Sequence, residues 1–344
     1  MTRRVLFRLA LLVLVAAVAP SAASAASPSV LRVGTNRALG TVTPYIGKAK
    51  GFFNARGIQL EIVDFQDGST LMEAFAAGRL DVALAGIAPT AIWQGKGVPL
   101  KVIAAANGGG HVLLTRSDAG IGGVEGLRGR KVGTPKQGTV VDTLVRAHIL
   151  RELASLEPER DVTLIAGLAP ADLPAALFVT REVDAIATWE PFASQAQARF
   201  PEARILWDGA AEWRKAHPGA PLYPVNVVIA RQDLIDGRPD DVRRFLAAYD
   251  ETIRFVEDRR DDANALIAQE LKLAPAIVSA ARGRIDYSSR LDISAALRTL
   301  AWSKELGYLK VIPTEAALFD LRFLPAPAAA PRGPRTAGTR KSAK

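Results

Sequence analysis

Residues 43–86 constrain the fold more than any other stretch. They read T-P-Y-I-G-K-A-K-G-F-F-N-A-R-G-I-Q-L-E-I-V-D-F-Q-D-G-S-T-L-M-E-A-F-A-A-G-R-L-D-V-A-L-A-G. Thr43 offers a helix cap with Pro44 in the first turn, and Gly51 offers the left-handed residue that ends such a helix. Ile58–Phe65 alternates, with Ile58, Leu60, Ile62 and Asp64 on one parity, as a strand does. Asp67-Gly68-Ser69 makes a turn and a cap, and Leu71, Met72, Phe75 and Ala76 carry helical spacing. Asp81–Gly86 is a run of small and apolar residues suited to a buried strand. Helices and strands that alternate this way predict an α/β fold with a largely parallel sheet. The stretch holds no obvious catalytic group. Its loops offer backbone N–H groups instead, which points to a binder rather than an enzyme.

The same grammar continues on both sides and then restarts. Val30–Thr35 and Lys101–Ala106 read as strands, and Gly108-Gly109-Gly110 leads into another at His111–Thr115. A second series follows. A strand over Gly129–Thr134 precedes a helix opened by Gly138-Thr139, whose apolar face is Val141, Leu144, Val145, His148 and Ile149. Val162–Ile165, Asp184–Thr188 and Ile205–Trp207 are further strands, with a short helix over Leu173–Phe178. From Pro221 the run Y-P-V-N-V-V-I-A returns the chain to the first set, and helices follow, one with the face Val242, Phe245, Leu246, Tyr249, Ile253 and Val256. The expected architecture is therefore two lobes joined by two hinge crossovers. Lobe 1 comprises residues 30–112 and 226–324, and lobe 2 comprises 113–225. Ligands of open α/β sheets sit at the carboxyl ends of strands, so the expected site is the cleft between the lobes.

The ends of the chain bear on location and charge. Residues 1–26 have the pattern of a signal peptide: M-T-R-R, an apolar run over Leu9–Ala19 too short to span a bilayer, and small residues at Ala23 and Ala25. Cleavage near Ala25 or Ala26 and export are expected. Residues 325–344 are Pro, Ala, Gly and basic residues without hydrophobic periodicity, and are expected to be disordered. The chain carries +9, but three arginines lie in the first of these segments and five basic residues in the second, with no acid in either. The body between them carries a net +1, which gives no support to nucleic-acid binding. There is no cysteine, so disulfides, a lipid-anchored cysteine and thiol chemistry are all excluded.

Several motifs together resemble one known family. P-Y-I-G-K-A-K-G-F-F, G-I-Q-L-E-I-V, D-G-S, A-A-G-R-L-D-V-A-L-A-G, G-R-K-V-G-T-P-K-Q-G-T and D-A-I-A-T-W-E-P-F occur in this order. In order and spacing they resemble the nitrate/sulfonate/taurine-type substrate-binding proteins of ABC importers, a superfamily that also holds thiamine-pyrimidine-synthase-like proteins. The resemblance spans about residues 30–323. It implies a type II periplasmic-binding-protein fold, hinge closure on a small organic anion or heteroaromatic acid, and delivery to an ABC permease in the inner membrane. It also implies a periplasmic location and a monomer. No metal or cofactor is implied. The alternatives are an enzyme on the same fold, pyrimidine-synthase-like or desulfinase-like, and a sensing module for a membrane receptor. The enzymes resembled rely on cysteine, which this chain lacks.

Candidate ligand-binding residues follow from the loops at strand ends. Gly40 and Thr41 precede the first helix, where capping and anion binding draw on the same groups. Asp67, Gly68 and Ser69 form the second loop, with Asp67 as turn former or as partner to a ligand amine, and Ser69 as donor. Ala85, Gly86 and Ile87 follow a strand and are small enough for close backbone approach. Gln137, Gly138 and Thr139 lie where a strand passes into a helix, so that helix N–H groups favour an anionic head. The following Thr-Val excludes a P-loop. Trp189 and Glu190 end a strand of lobe 2. The indole is suited to stacking in a cleft that opens and closes, and the acid to pairing with a ligand amine, with a hinge residue or with a helix start. Asn226, polar within V-N-V-V-I, requires a partner from ligand or backbone. His111, His148 and His217 lack metal-ligand spacing: His111 is expected near the hinge and His148 at a core edge.

Overall fold

The computed structural model describes residues 27–326. The expectations for the leader and for most of the basic tail fall outside the described residues.

Along the chain, β1 (Ser29–Thr35), α1 (Thr43–Ala49), β2 (Ile58–Asp64), α2 (Gly68–Ala76), β3 (Val82–Gly86), α3 (Ile87–Gly95) and β4 (Leu100–Gly109) come first. After Gly110 the chain enters β5 (His111–Arg116), β6 (Lys131–Gly133) and α4 (Val140–Thr143), which widens into a π-helix over Leu144–Leu153. Next come β7 (Thr163–Ile165), α5 (Leu173–Phe178), β8 (Ala185–Trp189), α6 (Phe192–Arg199), β9 (Ala203–Asp208) and α7 (Gly209–Ala216). The chain then returns through β10 (Pro224–Arg231). It continues as α8 (Gln232–Gly237), α9 (Pro239–Asp258), α10 (Arg260–Leu271), α11 (Pro275–Arg282), β11 (Ile285–Tyr287), α12 (Ile293–Glu305) and α13 (Glu315–Leu318). No described helix is long and apolar enough to cross a membrane.

The strands make two sheets, one of six strands in the order β11-β4-β10-β3-β1-β2 and one of five in the order β7-β6-β8-β5-β9. Neither is largely parallel, contrary to the expectation from alternation. Four neighbouring pairs are parallel, β1 with β2 and β3, and β6 with β7 and β8. The pairs made by β10 with β3 and β4, by β11 with β4, and by β5 with β8 and β9 are antiparallel. For four of these five antiparallel pairs the reason is the crossovers. A strand that enters a sheet from the other sheet, as β5 and β10 do, comes in from the cleft side and runs against the strands that end there.

Both faces of each sheet are covered, so strand residues alternate between two cores rather than between core and water. In β10, Val228 and Ala230 join one core while Val227 and Ile229 join the other; in β3, Val82 and Leu84 oppose Ala83 and Ala85. In the smaller sheet, Val112 and Leu114 of β5 pack on one side and Leu113 on the other. This is why these strands read as apolar runs. Helix starts differ in detail from expectation. Thr43 lies inside α1, its hydroxyl donating to the Tyr249 hydroxyl at 3.3 Å, and Val42 takes the cap position without a side-chain bond. Pro44 does occupy the first turn, and Gly51 has the left-handed φ of +73°.

The first crossover is a single glycine wide. Gly109 and Gly110 have φ of +72° and +89°, and a Cβ on Gly109 would come within 2.5 Å of the Arg284 carbonyl oxygen. Only glycine fits there, because the turn needs left-handed backbone and the neighbouring chain passes too close for a side chain.

Candidate functional site

A pocket of about 100 Å³ lies where the two sheets face each other. The six-stranded sheet supplies the residues at the carboxyl ends of its strands: Asn36 after β1, Ala85 and Gly86 of β3, and Asn107 of β4, together with Gly40 and Gly68 from the adjoining loops. The five-stranded sheet supplies His111 at the start of β5, Thr139 and Val140 where α4 begins, and Trp189-Glu190 at the end of β8. Asn226 of β10 completes the floor.

Two asparagines organise that floor. Asn226 Nδ2 donates to Asn107 Oδ1 at 2.7 Å, and Asn107 is buried. The pair presses against the backbone of Gly40, where a Cβ would lie 2.7 Å from Asn107 Oδ1 and 2.9 Å from Asn226 Nδ2. Gly40 is therefore a glycine of close approach. Asn226 finds its partner in a side chain, neither of the two partners that the sequence suggested for it.

Three helices begin at this pocket, and they differ in how their first N–H groups are used. At α2 the Asp67 carboxylate accepts from Ser69 N at 2.8 Å and Thr70 N at 3.0 Å. At α4, Thr139 Oγ1 accepts from Asp142 N at 3.3 Å, and Gly138 N donates to Asp142 Oδ2 at 3.1 Å. At α3 the chain passes from Gly86 directly into the helix with no side-chain cap. Unpaired N–H groups and the helix dipole give that end a partial positive charge. No lysine or arginine is among the residues lining the pocket.

The acids and the imidazole of the pocket are each neutralised. Glu190 is buried. Its Oε1 accepts from Arg284 Nη1 at 2.7 Å and its Oε2 from Ser194 N at 3.1 Å. Burial raises its pKa, against the pull of Arg284. Arg284, which precedes β11 of the other sheet, also donates through Nε to Asp208 Oδ2 at 2.7 Å, so one guanidinium binds carboxylates at the ends of two strands. Complete burial pushes His111 down to about 3, which leaves the imidazole neutral. Its ring stacks on Tyr223 with centroids 6.2 Å apart.

Gly40, Gly68, Ala85, Gly86, Thr139, Trp189, Glu190 and Asn226 are thus brought together around one pocket. Thr41, Asp67, Ser69, Ile87, Gln137 and Gly138 do not line it. Thr41 is buried, with its hydroxyl donating to Asn36 Oδ1 at 2.6 Å. Asp67 is a helix cap with Ser69 as its donor, Gln137 is exposed, and Gly138 serves the loop with a φ of +80°. Sequence reading missed Asn36 and Asn107 and gave His111 only a hinge position. Asn107 carried the signal already used for Asn226, a polar residue at the end of an apolar strand.

The NMT1-like family profile matches residues 24–272, most of the chain. The chain belongs to the NMT1-like family. Among similar proteins is a putative aliphatic sulfonates-binding protein of Bacillus subtilis, 28% identical over 239 residues, which are 68% of this chain and 67% of that protein. Among solved structures is the alkanesulfonate-binding protein SsuA of Xanthomonas axonopodis bound to MOPS, with a TM-score of 0.69 and 23% identity over 86% of this chain and 99% of that one. Another is the desulfurization enzyme DSZB, with a TM-score of 0.63 and 19% identity over 86% of this chain and 97% of that one. The two solved structures establish the fold that this NMT1-like chain shares, a two-lobed type II periplasmic-binding-protein fold with the cleft between its lobes. Among the described residues no group of His, Asp and Glu has the geometry of a metal site.

Proposed function

We propose that this protein is the solute-binding component of an ABC importer. It takes up a small organic anion, sulfonate-like or carboxylate, in the pocket between the sheets. It closes on it about the Gly110 and Pro224 crossovers, and hands it to an inner-membrane permease. The uncapped start of α3 at Gly86 carries this reading. Of the three α-helix starts described at the pocket, it is the one with neither a capping side chain nor a carboxylate beside it, and such ends favour anions. The acids nearby are already held, Asp67 by its own helix and Glu190 by Arg284, so the field at α3 is not cancelled. Residues 30–112 with 226–324, and residues 113–225, are the two bodies that move, as a monomer, in the periplasm after removal of residues 1–26. Hinge closure of this kind is a population shift driven by ligand contacts made to both lobes.

No reaction is assigned to the pocket. Its imidazole is neutral, fully buried and set against a tyrosine hydroxyl at 3.5 Å rather than against a nucleophile. A thermal-shift panel of alkanesulfonates, taurine, nitrate and heteroaromatic carboxylates tests the reading, with a saturable rise in Tm expected for at least one. Flat melting curves across the panel would overturn the ligand class, and turnover of a bound compound by the purified protein would overturn the binding role.

A further inference from the structure

A second cavity, of about 140 Å³, lies apart from the first on the seam between the sheets. Its walls are mainly aromatic: His148 from the π-helical turns after α4, Trp207 at the end of β9, Trp213 of α7 and His217 just after it, Tyr223 on the crossover, and Trp302 of α12. The rings are held in place. Trp213 stacks on His217 with centroids 3.9 Å apart, and Trp302 stacks on His148 at 5.1 Å. Trp213 Nε1 donates to the Pro221 carbonyl at 2.8 Å, and Trp302 Nε1 to Glu152 Oε1 at 2.7 Å. Trp207 differs: its Nε1 is buried with no hydrogen-bond partner among the described residues.

The mouth carries two opposite charges. Arg298 and Glu212 line the cavity and are exposed, and neither has an ion pair or side-chain hydrogen bond to another described residue. An engineered cavity of about 150 Å³ with apolar walls holds one benzene, so this one has room for a single ring.

We propose that this cavity is a second ligand site, for a zwitterion built on one aromatic ring, in chemical class an aromatic α-amino acid. The ring lies on the tryptophan faces, where aromatic contact adds to burial. At the mouth the ammonium meets Glu212 and the carboxylate meets Arg298. Because Trp302 and Arg298 come from α12 while Trp207 and Trp213 come from the five-stranded sheet and its helix, occupancy favours the closed arrangement. Tyr223 links the two cavities, with its ring 5.5 Å from Trp213 on one side and stacked on His111 on the other.

The test is titration of the purified protein with L-tyrosine, followed by calorimetry and tryptophan fluorescence. Saturable binding is expected, at least tenfold weaker for tyramine and for 3-(4-hydroxyphenyl)propionate, each of which lacks one of the two charges. Ala216→Trp, which fills the cavity from α7, is expected to abolish L-tyrosine binding while the Tm of the free protein stays within a few degrees. Arg298→Gln alters only an exposed side chain and is expected to weaken L-tyrosine tenfold with no change for tyramine. The proposal is overturned by absence of saturable binding, by unchanged affinity in Ala216→Trp or in Arg298→Gln, or by a complex structure with the ring in the first pocket. None of these outcomes bears on whether the first pocket takes an anion.

Discussion

The starts of α2 and α3 face the same pocket from the same sheet, and only one of them is free. At α2, Asp67 takes two N–H groups and places its own negative charge at the helix end. At α3, Gly86 has no side chain to do either. Each helix follows a strand of the same sheet, α2 after a short loop and α3 directly. A carboxylate occupies one end, and the other has no side-chain cap. The opposite wall repeats the lesson. Glu190 is an acid lining the pocket whose charge is already answered, here by Arg284 from the other sheet.

The strongest way to break the comparison is to free one of the held acids. Arg284→Met would leave Glu190 as a buried charge without its partner, and removal of one member of a buried pair costs about 3–5 kcal/mol. Chemical denaturation should show a loss at or below the low end of that range, since Arg284 is partly exposed, and Arg284→Met/Glu190→Gln should recover much of it. Equal stability of the single and double variants would mean that Asp208 alone accounts for the role of Arg284.

Next in size is Gly86→Asp, which gives α3 the cap that α2 has. Ligand affinity should fall by about 100-fold, or about 2.7 kcal/mol, as measured by calorimetry with whichever panel compound binds. The mirror change, Asp67→Ala, should cost about 1 kcal/mol of stability, the usual worth of a cap, and alter affinity by less than about threefold (under 0.7 kcal/mol). If Asp67→Ala weakens binding more than Gly86→Asp does, the assignment of the free helix end is reversed.

His111 bears on whether the pocket wall stays uncharged. Its folded value, about 3, lies below its ordinary 6.5. The unfolded chain takes up a proton below pH 6.5 and the folded chain does not until far lower. The stabilising contribution is therefore complete above pH 6.5 and is lost as pH falls toward 3. Between those values this residue alone should reduce stability by about 1.4 kcal/mol per pH unit. His111→Gln should remove that part of the slope in urea melts taken across pH 4–7, and an unchanged slope would place the titration elsewhere. Gly40→Ala would set a Cβ against the Asn107–Asn226 pair. An affinity loss of about tenfold (1.4 kcal/mol) is expected, with the fold intact by circular dichroism.

Much of the fold was legible because period and punctuation are local. Apolar runs bounded by glycine and capping residues gave every strand except β11, together with the two crossings between the sheets. The site was half legible. Loops after strands could be named, and Gly86, Thr139, Trp189 and Asn226 do meet at one pocket, but the loop Gln137–Thr139 contributes only Thr139 to it. A capping residue and a ligand-binding residue have the same letters, and which groups remain unpaired depends on partners elsewhere in the chain.

The sequence by itself determined two α/β layers, an excursion between them and the want of thiol chemistry, because these follow from spacing and composition. Tertiary structure alone decided three other things. Strand direction reverses at the crossings, because β5 and β10 enter from the cleft. Glu190 is silenced by Arg284, 94 positions away. Trp207, Trp213 and Trp302 close on one cavity although they belong to distant helices and a strand. Those contacts depend on how whole layers pack, and no local pattern records which surfaces will meet.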